Sequence, residues 1–532
     1  MPSPQAHHEA YDFDRLSREV SISFRDREHG HNNEDDFPLS TSRKIVLTCG
    51  LGGLQVLWAT IFSNGTPFML SLGLPKSMTA LLWSAAPLAG LFVQVYVGRI
   101  SDEYQHPWGR RRPFIMLGSF TISVSLLALA WSEMLAARIV KMLAWTFSTD
   151  YTLPRLAPGI AVFSFLLLCV AIQPLQCGLR ALIFDTCSSR QQSAVNVWAA
   201  RFIGIGNIFG CAAGVLDLPG YGTNMNTRFR MLTIFTLFSI NITAGITCLS
   251  CSEVKSDVEV RSMPKASHPA AVVTELLTTY TNLSNRARHI LLIQFISWLA
   301  WFGFLFYSAS YVSDLCAHAH VFVVDTESRD IVPDIQQSRF GTFVNLLIAA
   351  TTLITCILLP YIAKLFNKNA TVAYSKGWHD ALAVTTDPFE LPALVWALSL
   401  ALAAFLSFAT LLTSDALVAS VIMMLMGIPW AVANWAPFTL LGIATLDTGT
   451  DTQQDNRARG ASFGNKNSNN GTLMGLNTMA VSAPQIIAAG ICSIIIPLSQ
   501  LWKSTDSLGW VLRAGGIAYL AATMLALRLK AS

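Results

Sequence analysis

Residues 78–132 read MTALLWSAAPLAGLFVQVYVGRISDEYQHPWGRRRPFIMLGSFTISVSLLALAWS. Two apolar runs, 78–98 and 113–132, flank a short loop crowded with charge, from Arg99 and Asp102 to Arg110, Arg111 and Arg112. Each run is close to the roughly 20 residues an α-helix needs to cross about 30 Å of hydrocarbon. Arginines gather in loops that stay on the cytoplasmic side of a bilayer. The stretch is therefore expected to be two membrane-spanning helices joined on the inside. The same criterion, applied outward, finds windows at 45–70, 159–184, 194–215, 230–251, 289–312, 340–362, 392–413, 416–443, 471–497 and 508–528, making twelve in all.

The composition agrees with this reading. Of 532 residues, 52% are hydrophobic and 13% charged, against about 25% charged in a soluble domain. Mean hydropathy is +0.47, more apolar surface than soluble cores of ordinary size can hide. The net charge of +4 is thinly spread, without the dense basic stripe that a phosphate backbone requires, so no nucleic-acid partner is expected. The ten cysteines lie mostly in apolar runs, where a thiol packs as a small hydrophobe. Cys248 and Cys251 form a C-x-x-C with no second pair at zinc spacing; packing or acylation is expected there, and no metal. No G-x-S-x-G, Walker loop or H-E-x-x-H occurs, and Gly204-Ile205-Gly206 lies in an apolar window without a preceding strand. Neither an enzyme nor an ATP-driven pump is expected.

The longest interior polar stretch, 252–288, falls after the sixth window. The expected organisation is an all-α membrane protein: a tail at 1–44, a six-helix half at 45–251, a cytoplasmic linker at 252–288, a second six-helix half at 289–528 and a terminus at 529–532. The tail has no apolar signal-peptide run. Basic residues concentrate on the side of the membrane that the N-terminus shares with the 98–113 loop, so both termini are expected to be cytoplasmic. The 252–288 and 445–470 segments read as linkers, regulatory or flexible.

The run Gly98-Arg99-Ile100-Ser101-Asp102, followed by Trp108-Gly109-Arg110-Arg111-Arg112-Pro113, resembles the cytoplasmic loop motif of the major facilitator superfamily. That resemblance implies an inner gate held shut by contacts of an acid and arginines with each other and with helix ends; arginines in an inside loop also serve as topology anchors. A narrower likeness covers nearly all windows. Gly73-Leu74-Pro75-Lys76-Ser77, Trp83, Pro87-Leu88-Ala89-Gly90-Leu91 and Gln94 lead into the loop, and Arg180-Ala181-Leu182-Ile183-Phe184-Asp185, Gly206-Asn207, Trp298 to Ser308, Gly427-Ile428-Pro429-Trp430, Trp435-Ala436-Pro437-Phe438, Asn477 and Pro484-Gln485 follow. Together they resemble the sucrose and α-glucoside transporter family, the glycoside symporter branch, most of all its fungal members.

A sugar ring offers hydroxyls to amides and guanidinium groups and an apolar face to aromatic rings. Gln55, Trp58, Gln176, Arg180, Trp298, Trp301, Asn477 and Gln485 stand in separate windows that this architecture directs to one cavity, and they are the candidate substrate-binding residues. A tryptophan can equally pack or anchor at the interface, and an amide can bond a neighbouring helix. Arg180 is near enough to the inner end of its window to snorkel, but an ionisable group inside a bilayer is a functional hypothesis by default, and the resemblance implies contact with substrate. Asp102, Arg110, Arg111, Arg112, Asp185, Arg201 and Asp314 are the gating and coupling candidates, with Asp185 expected to pair with the arginine loop or with Arg201.

Proton-driven members of the family place a carboxylate where this chain has Cys169, and fungal and animal members a glutamate where it has Ile61. A thiol, with an ordinary pKa near 8.5, is a poor proton carrier at acidic external pH. Lys76 and Tyr311 also depart from the pattern. Three readings follow: proton-coupled import of sucrose or an α-glucoside, facilitative or altered-specificity sugar transport, and a non-transporting receptor or scaffold on the same fold. No cofactor is expected beyond protons as coupling ion. The partners are a small sugar and the lipid bilayer, a monomer suffices, and the plasma membrane is the family expectation with the vacuolar membrane open.

Overall fold

Helix α1 (Thr41–Ser71) starts ahead of its apolar window because Ser40 caps it, the hydroxyl accepting the Arg43 N–H at 3.4 Å. The computed structural model describes residues 39–104, 106–142, 149–215, 225–251, 253, 269–318, 332–366, 389–444, 470–501 and 506–529. Most of the expected 1–44 tail, residues 252 and 254–268 of the 252–288 linker, nearly all of the 445–470 segment and the last three residues lie outside them.

Proline decides where the second window breaks. Inside a helix its ring clashes with the carbonyl four residues back, and for Pro87 that residue is Trp83. There α2 (Lys76–Leu82) ends; α3 (Ala85–Ala89) follows, then a π-helical turn over Gly90–Gln94, then α4 (Val95–Glu103). The chain continues through α5 (Arg112–Ala130), α6 (Ser132–Met142), α7 (Thr149–Thr186), α8 (Ser189–Val215) and α9 (Met225–Ser250). Helix α10 (Pro269–Asn282) lies within the stretch read as linker, and α11 (Asn285–His318) also begins inside it, where the Ser284 hydroxyl accepts the Ala287 N–H at 3.1 Å. Then come α12 (Val332–Phe366), α13 (Glu390–Ala409), α14 (Ala416–Ala444), α15 (Asn470–Leu501) and α16 (Ser507–Leu529). Pro429 and Pro437 interrupt α14 at Met426 and at Asn434 by the same clash.

Ten of these helices are long and apolar enough to cross a membrane: α1, α5, α7, α8, α9, α11, α13, α14, α15 and α16. The other two windows take different forms. That at 78–98 is the broken segment α2 to α4, and that at 340–362 falls on α12, whose apolar stretch is the shorter Phe343–Leu359. No strand occurs among the described residues.

The described residues from Ser40 onward pack as one unit. Helix α1 lies against α8 and α9, and a Cβ on Gly206 would run into the Gly52 carbonyl, the close backbone approach by which membrane helices associate. The first six windows meet the last six mainly along two seams: α8 against α12, and α4 with the Gly90–Gln94 turn against α15. Both seams carry the polar groups that matter below.

Candidate functional site

One seam ends in a lock. Asp102, on the last turn of α4, accepts the backbone N–H groups of Gly471 at 2.9 Å and Thr472 at 2.7 Å and the Thr472 hydroxyl at 2.7 Å. A carboxylate is thus seated on the free N–H groups and positive dipole of the α15 N-terminus. Arg111 donates from Nη2 to Asp102 at 2.5 Å, from Nη1 to the Ser101 hydroxyl at 2.5 Å and from Nε to Asp185 at 2.8 Å. Its side chain is 0% exposed. Burial opposes its charge, but the Asp185 and Asp102 carboxylates outweigh that and hold the guanidinium above its ordinary pKa. Asp185 takes a second arginine, Arg110, at 2.9 Å and the Asn470 amide at 2.7 Å. The lock closes because both chains are bare: a Cβ on Gly98 would overlap the Gly471 carbonyl, and one on Gly471 the Gly98 carbonyl.

Of the expected gating residues, Asp102, Arg110, Arg111 and Asp185 meet here. Arg112 contributes its backbone N–H, bound to Glu253 at 3.0 Å. Arg201 stands on the other seam: its Nε donates to the Cys356 carbonyl of α12 at 3.3 Å and its guanidinium covers the Trp198 ring at 4.7 Å. Asp185 is therefore paired with the arginine loop, the first of its two expected partners. Asp314 is exposed near the end of α11, beyond Phe302 and Phe306, which pack with Ala488 and Cys492 far along α15 from the lock.

Behind the lock the interior turns polar and aromatic. On α7 the spacing of Cys169, Gln173, Gln176 and Arg180 puts all four on one face. Arg180 is about 7.5 Å along the helix from Asp185. It is 6% exposed, donates from Nη1 to Asn196 Oδ1 at 3.4 Å and lies 3.6 Å over the ring of Phe438, which α14 supplies from among the last six windows. Asn196 in turn donates to the Gln192 carbonyl at 2.9 Å. No carboxylate among the described residues pairs with Arg180. Nearby, Trp435 of α14 donates to the Ser193 carbonyl of α8 at 3.1 Å.

The remaining candidates fall into two aromatic groups and several amides. Trp58 stacks on Phe62 at 5.4 Å, Phe62 on Trp83 at 5.1 Å, and Phe306 of α11 meets Phe62 edge-on at 5.7 Å, joining the two sets of helices. Trp298 meets Trp430 at 6.0 Å. Trp301 is 1% exposed and packed by Trp430, Phe304 and Tyr519, so it braces Trp430. Gln55 donates to Asn207 across α1 and α8 at 3.3 Å. Asn477 is buried and Gln485 half-buried along α15, and Gln176 is half-buried.

Several participants were not among the site candidates read from sequence: Ser101, Glu253, Gly471 and Thr472 at the lock, and Gln173, Asn196, Phe62, Phe306 and Phe438 behind it, although Ser101, Phe306 and Phe438 lie in the motifs that carry the resemblance. Gln94, 2% exposed with Oε1 unpartnered among the described residues, sits in the π-helical turn, a form that recurs at functional sites.

No family model matches the chain. It is 26% identical to the general alpha-glucoside permease of Schizosaccharomyces pombe over 542 residues, 90% of this chain and 92% of that protein. The sucrose transport protein SUT3 of Oryza sativa subsp. indica is 27% identical over 319 residues, 57% of this chain and 61% of the relative. Among solved structures, the proton:xylose symporter XylE bound to 6-bromo-6-deoxy-D-glucose superposes with a TM-score of 0.56 at 14% identity, covering 92% of this chain and 95% of the other. FucP in the outward conformation gives 0.54 at 12% identity over 91% and 98%. Sequence and architecture agree: the chain is similar to the general alpha-glucoside permease and to sucrose transport proteins, and it has the fold of the major facilitator superfamily structures.

Proposed function

We propose that this chain carries sucrose or a maltose-like α-glucoside across a membrane by alternating access. The carrying observation is a polar interior closed at one end: Arg180 and the amide and aromatic groups stand behind the Asp102–Arg111–Asp185 lock, which joins the two sides of a seam. Opening that seam while the contact of Phe306 with Phe62 is kept, or parting that contact while the lock stays shut, would present the same groups to one face or the other, the rocking expected of two repeats around a midplane site. The names of the relatives support the substrate class. The lock end is the cytoplasmic end on this reading, both termini are cytoplasmic, the plasma membrane is its home, and one copy suffices.

A proton-driven cycle would use Asp102 or Asp185, since neutralising either releases Arg111 and loosens the lock; Asp314 is exposed at the opposite end. A facilitative cycle is the second reading, favoured by Cys169, a buried thiol on the same α7 face as Arg180. Uptake of labelled sucrose and maltose in transport-deficient cells, with and without a pH gradient, separates them. Accumulation that collapses with the gradient is the result for coupling, and equilibration indifferent to it is the result for facilitation. No uptake of either sugar overturns both and leaves altered specificity, and no uptake of any sugar leaves a receptor or scaffold. Cys169→Asp is expected to add a rise of uptake toward acidic external pH, because a carboxylate there can take a proton from the external medium. An unchanged pH profile between acid and neutral media counts against Cys169 as the lost coupling position.

A further inference from the structure

We infer that Glu253, at the start of the stretch linking the two halves, is a positioning residue of the lock: its carboxylate fixes the backbone of Arg110 to Arg112 and thereby aims the Arg111 side chain. The inference rests on the gate reading above. The first turn of a helix leaves its N–H groups without intrahelical partners, and α5 has no capping side chain of its own. Glu253 supplies one from 141 to 143 residues away: Oε2 accepts the Arg110 N–H at 2.5 Å, both oxygens accept the Arg111 N–H at 3.0 Å, and Oε1 accepts the Arg112 N–H at 3.0 Å. Gly109 lets the carboxylate come so near. Its φ is +118°, where only glycine rests without strain, and a Cβ there would stand 2.7 Å from Glu253 Oε1.

The reason for such a clamp lies in what hangs from that backbone. Arg111 makes contacts of 2.5, 2.5 and 2.8 Å to three different residues from a fully buried guanidinium. A buried charge network is costly when only partly satisfied, so a shift of the Arg111 backbone is felt at Asp102 and hence at the first turn of α15. The geometry therefore links the end of α9, through Glu253, to the contact that joins α4 with α15.

The chain carries its own reporter. Cys177 of α7 is 0% exposed, with its thiol 3.8 Å from the Gly471 carbonyl, so it is shielded while the lock is shut. Alkylation of the full chain in lipid vesicles by N-ethylmaleimide, with Cys177 quantified by peptide mapping, reads how often the lock opens. Glu253→Gln, which keeps the shape but gives up the charge-assisted bonds, is expected to speed Cys177 alkylation about tenfold, and Arg111→Ala about a hundredfold. Glu253→Gln added to Arg111→Ala is expected to change the rate by less than about twofold, because a residue that acts through Arg111 has nothing left to aim. Glu253→Asp, too short to reach all three N–H groups, should fall between wild type and Glu253→Gln and serves if the latter fails to reach the membrane. Protection unchanged by either Glu253 variant while Arg111→Ala exposes Cys177, or full additivity of the two changes, overturns the inference and leaves the gate. Cys177 equally shielded in Arg111→Ala overturns the gate reading itself.

Discussion

Arg180→Ala is expected to bring sucrose and maltose uptake to background, a loss of about a hundredfold or more, while the protein reaches the membrane in normal amount and melts no earlier. Arg180 is 6% exposed, yet its side-chain bonds to the protein are one hydrogen bond to a neutral amide at 3.4 Å and a ring contact at 3.6 Å. Among the described residues no carboxylate is left stranded by its removal, so the penalty that follows breaking a buried ion pair, about 3–5 kcal/mol, does not arise. Charge inside a bilayer costs about 2.5–3.5 kcal/mol on insertion scales, and the substitution relieves that cost. What disappears is a donor able to take sugar hydroxyls, and a hydrogen bond to a charged group contributes about 1.5–3 kcal/mol; the Phe438 contact from the facing helix goes with it. Arg180→Lys should lose less, since the ammonium keeps the charge but not the planar stacking on Phe438. The measurements are initial uptake rate, surface abundance and thermal melting. Near-normal uptake by Arg180→Ala removes the residue from the site, and a collapse in abundance makes it structural.

The lock was legible where its chemistry is local and hidden where it is not. Gly98, Asp102 and the arginine loop lie within fifteen residues of one another, and an acid, a glycine and a basic cluster at that spacing can be read along one stretch of chain. Gly471 and Thr472 supply backbone N–H groups, which every residue except proline has, so no side-chain pattern marks them as the partners of Asp102. Glu253 could be seen only as one acid at the edge of a polar segment, because its role depends on where α9 ends relative to α5. Asp185 had two plausible arginine partners in sequence, and only the packing of α7 against α5 decides for Arg110 and Arg111. Behind the lock, polar groups inside apolar windows were conspicuous, whereas Phe438 and Phe306, though they lie in motifs that carry the resemblance, have no role legible before their rings are found against Arg180 and Phe62. The second window was read as one continuous helix; Pro87 accounts for its break once the structure shows it, and the π-helical turn after it has no comparable sequence mark.

Gly98→Ala should prevent the lock from closing, although it adds a single methyl group and exchanges a poor helix former for the best one. Propensity alone favours alanine by about 1 kcal/mol in a helix interior, and at Gly159, where a Cβ would meet nothing within 4 Å, the same exchange should be neutral or stabilising. At Gly98 the new Cβ meets the Gly471 carbonyl, with the carbonyl carbon at 2.7 Å and the Thr472 N at 3.3 Å. These are backbone atoms of the facing helix, so no rotamer change relieves the overlap; α4 and α15 must separate. Separation falls directly on Asp102, whose three bonds to Gly471 and Thr472 lie within 2.9 Å, and each bond to a charged acceptor is worth about 1.5–3 kcal/mol net. Losing even two of them shifts the balance between closed and open seams by about a hundredfold or more. Cys177 should then alkylate as fast as in Arg111→Ala, and transport should fall because a carrier that cannot close one end cannot alternate. Gly159→Ala provides the matched control for helix content and expression. If Gly98→Ala transports normally and keeps Cys177 shielded, α4 and α15 do not need their close approach, and the seam described here is not the gate.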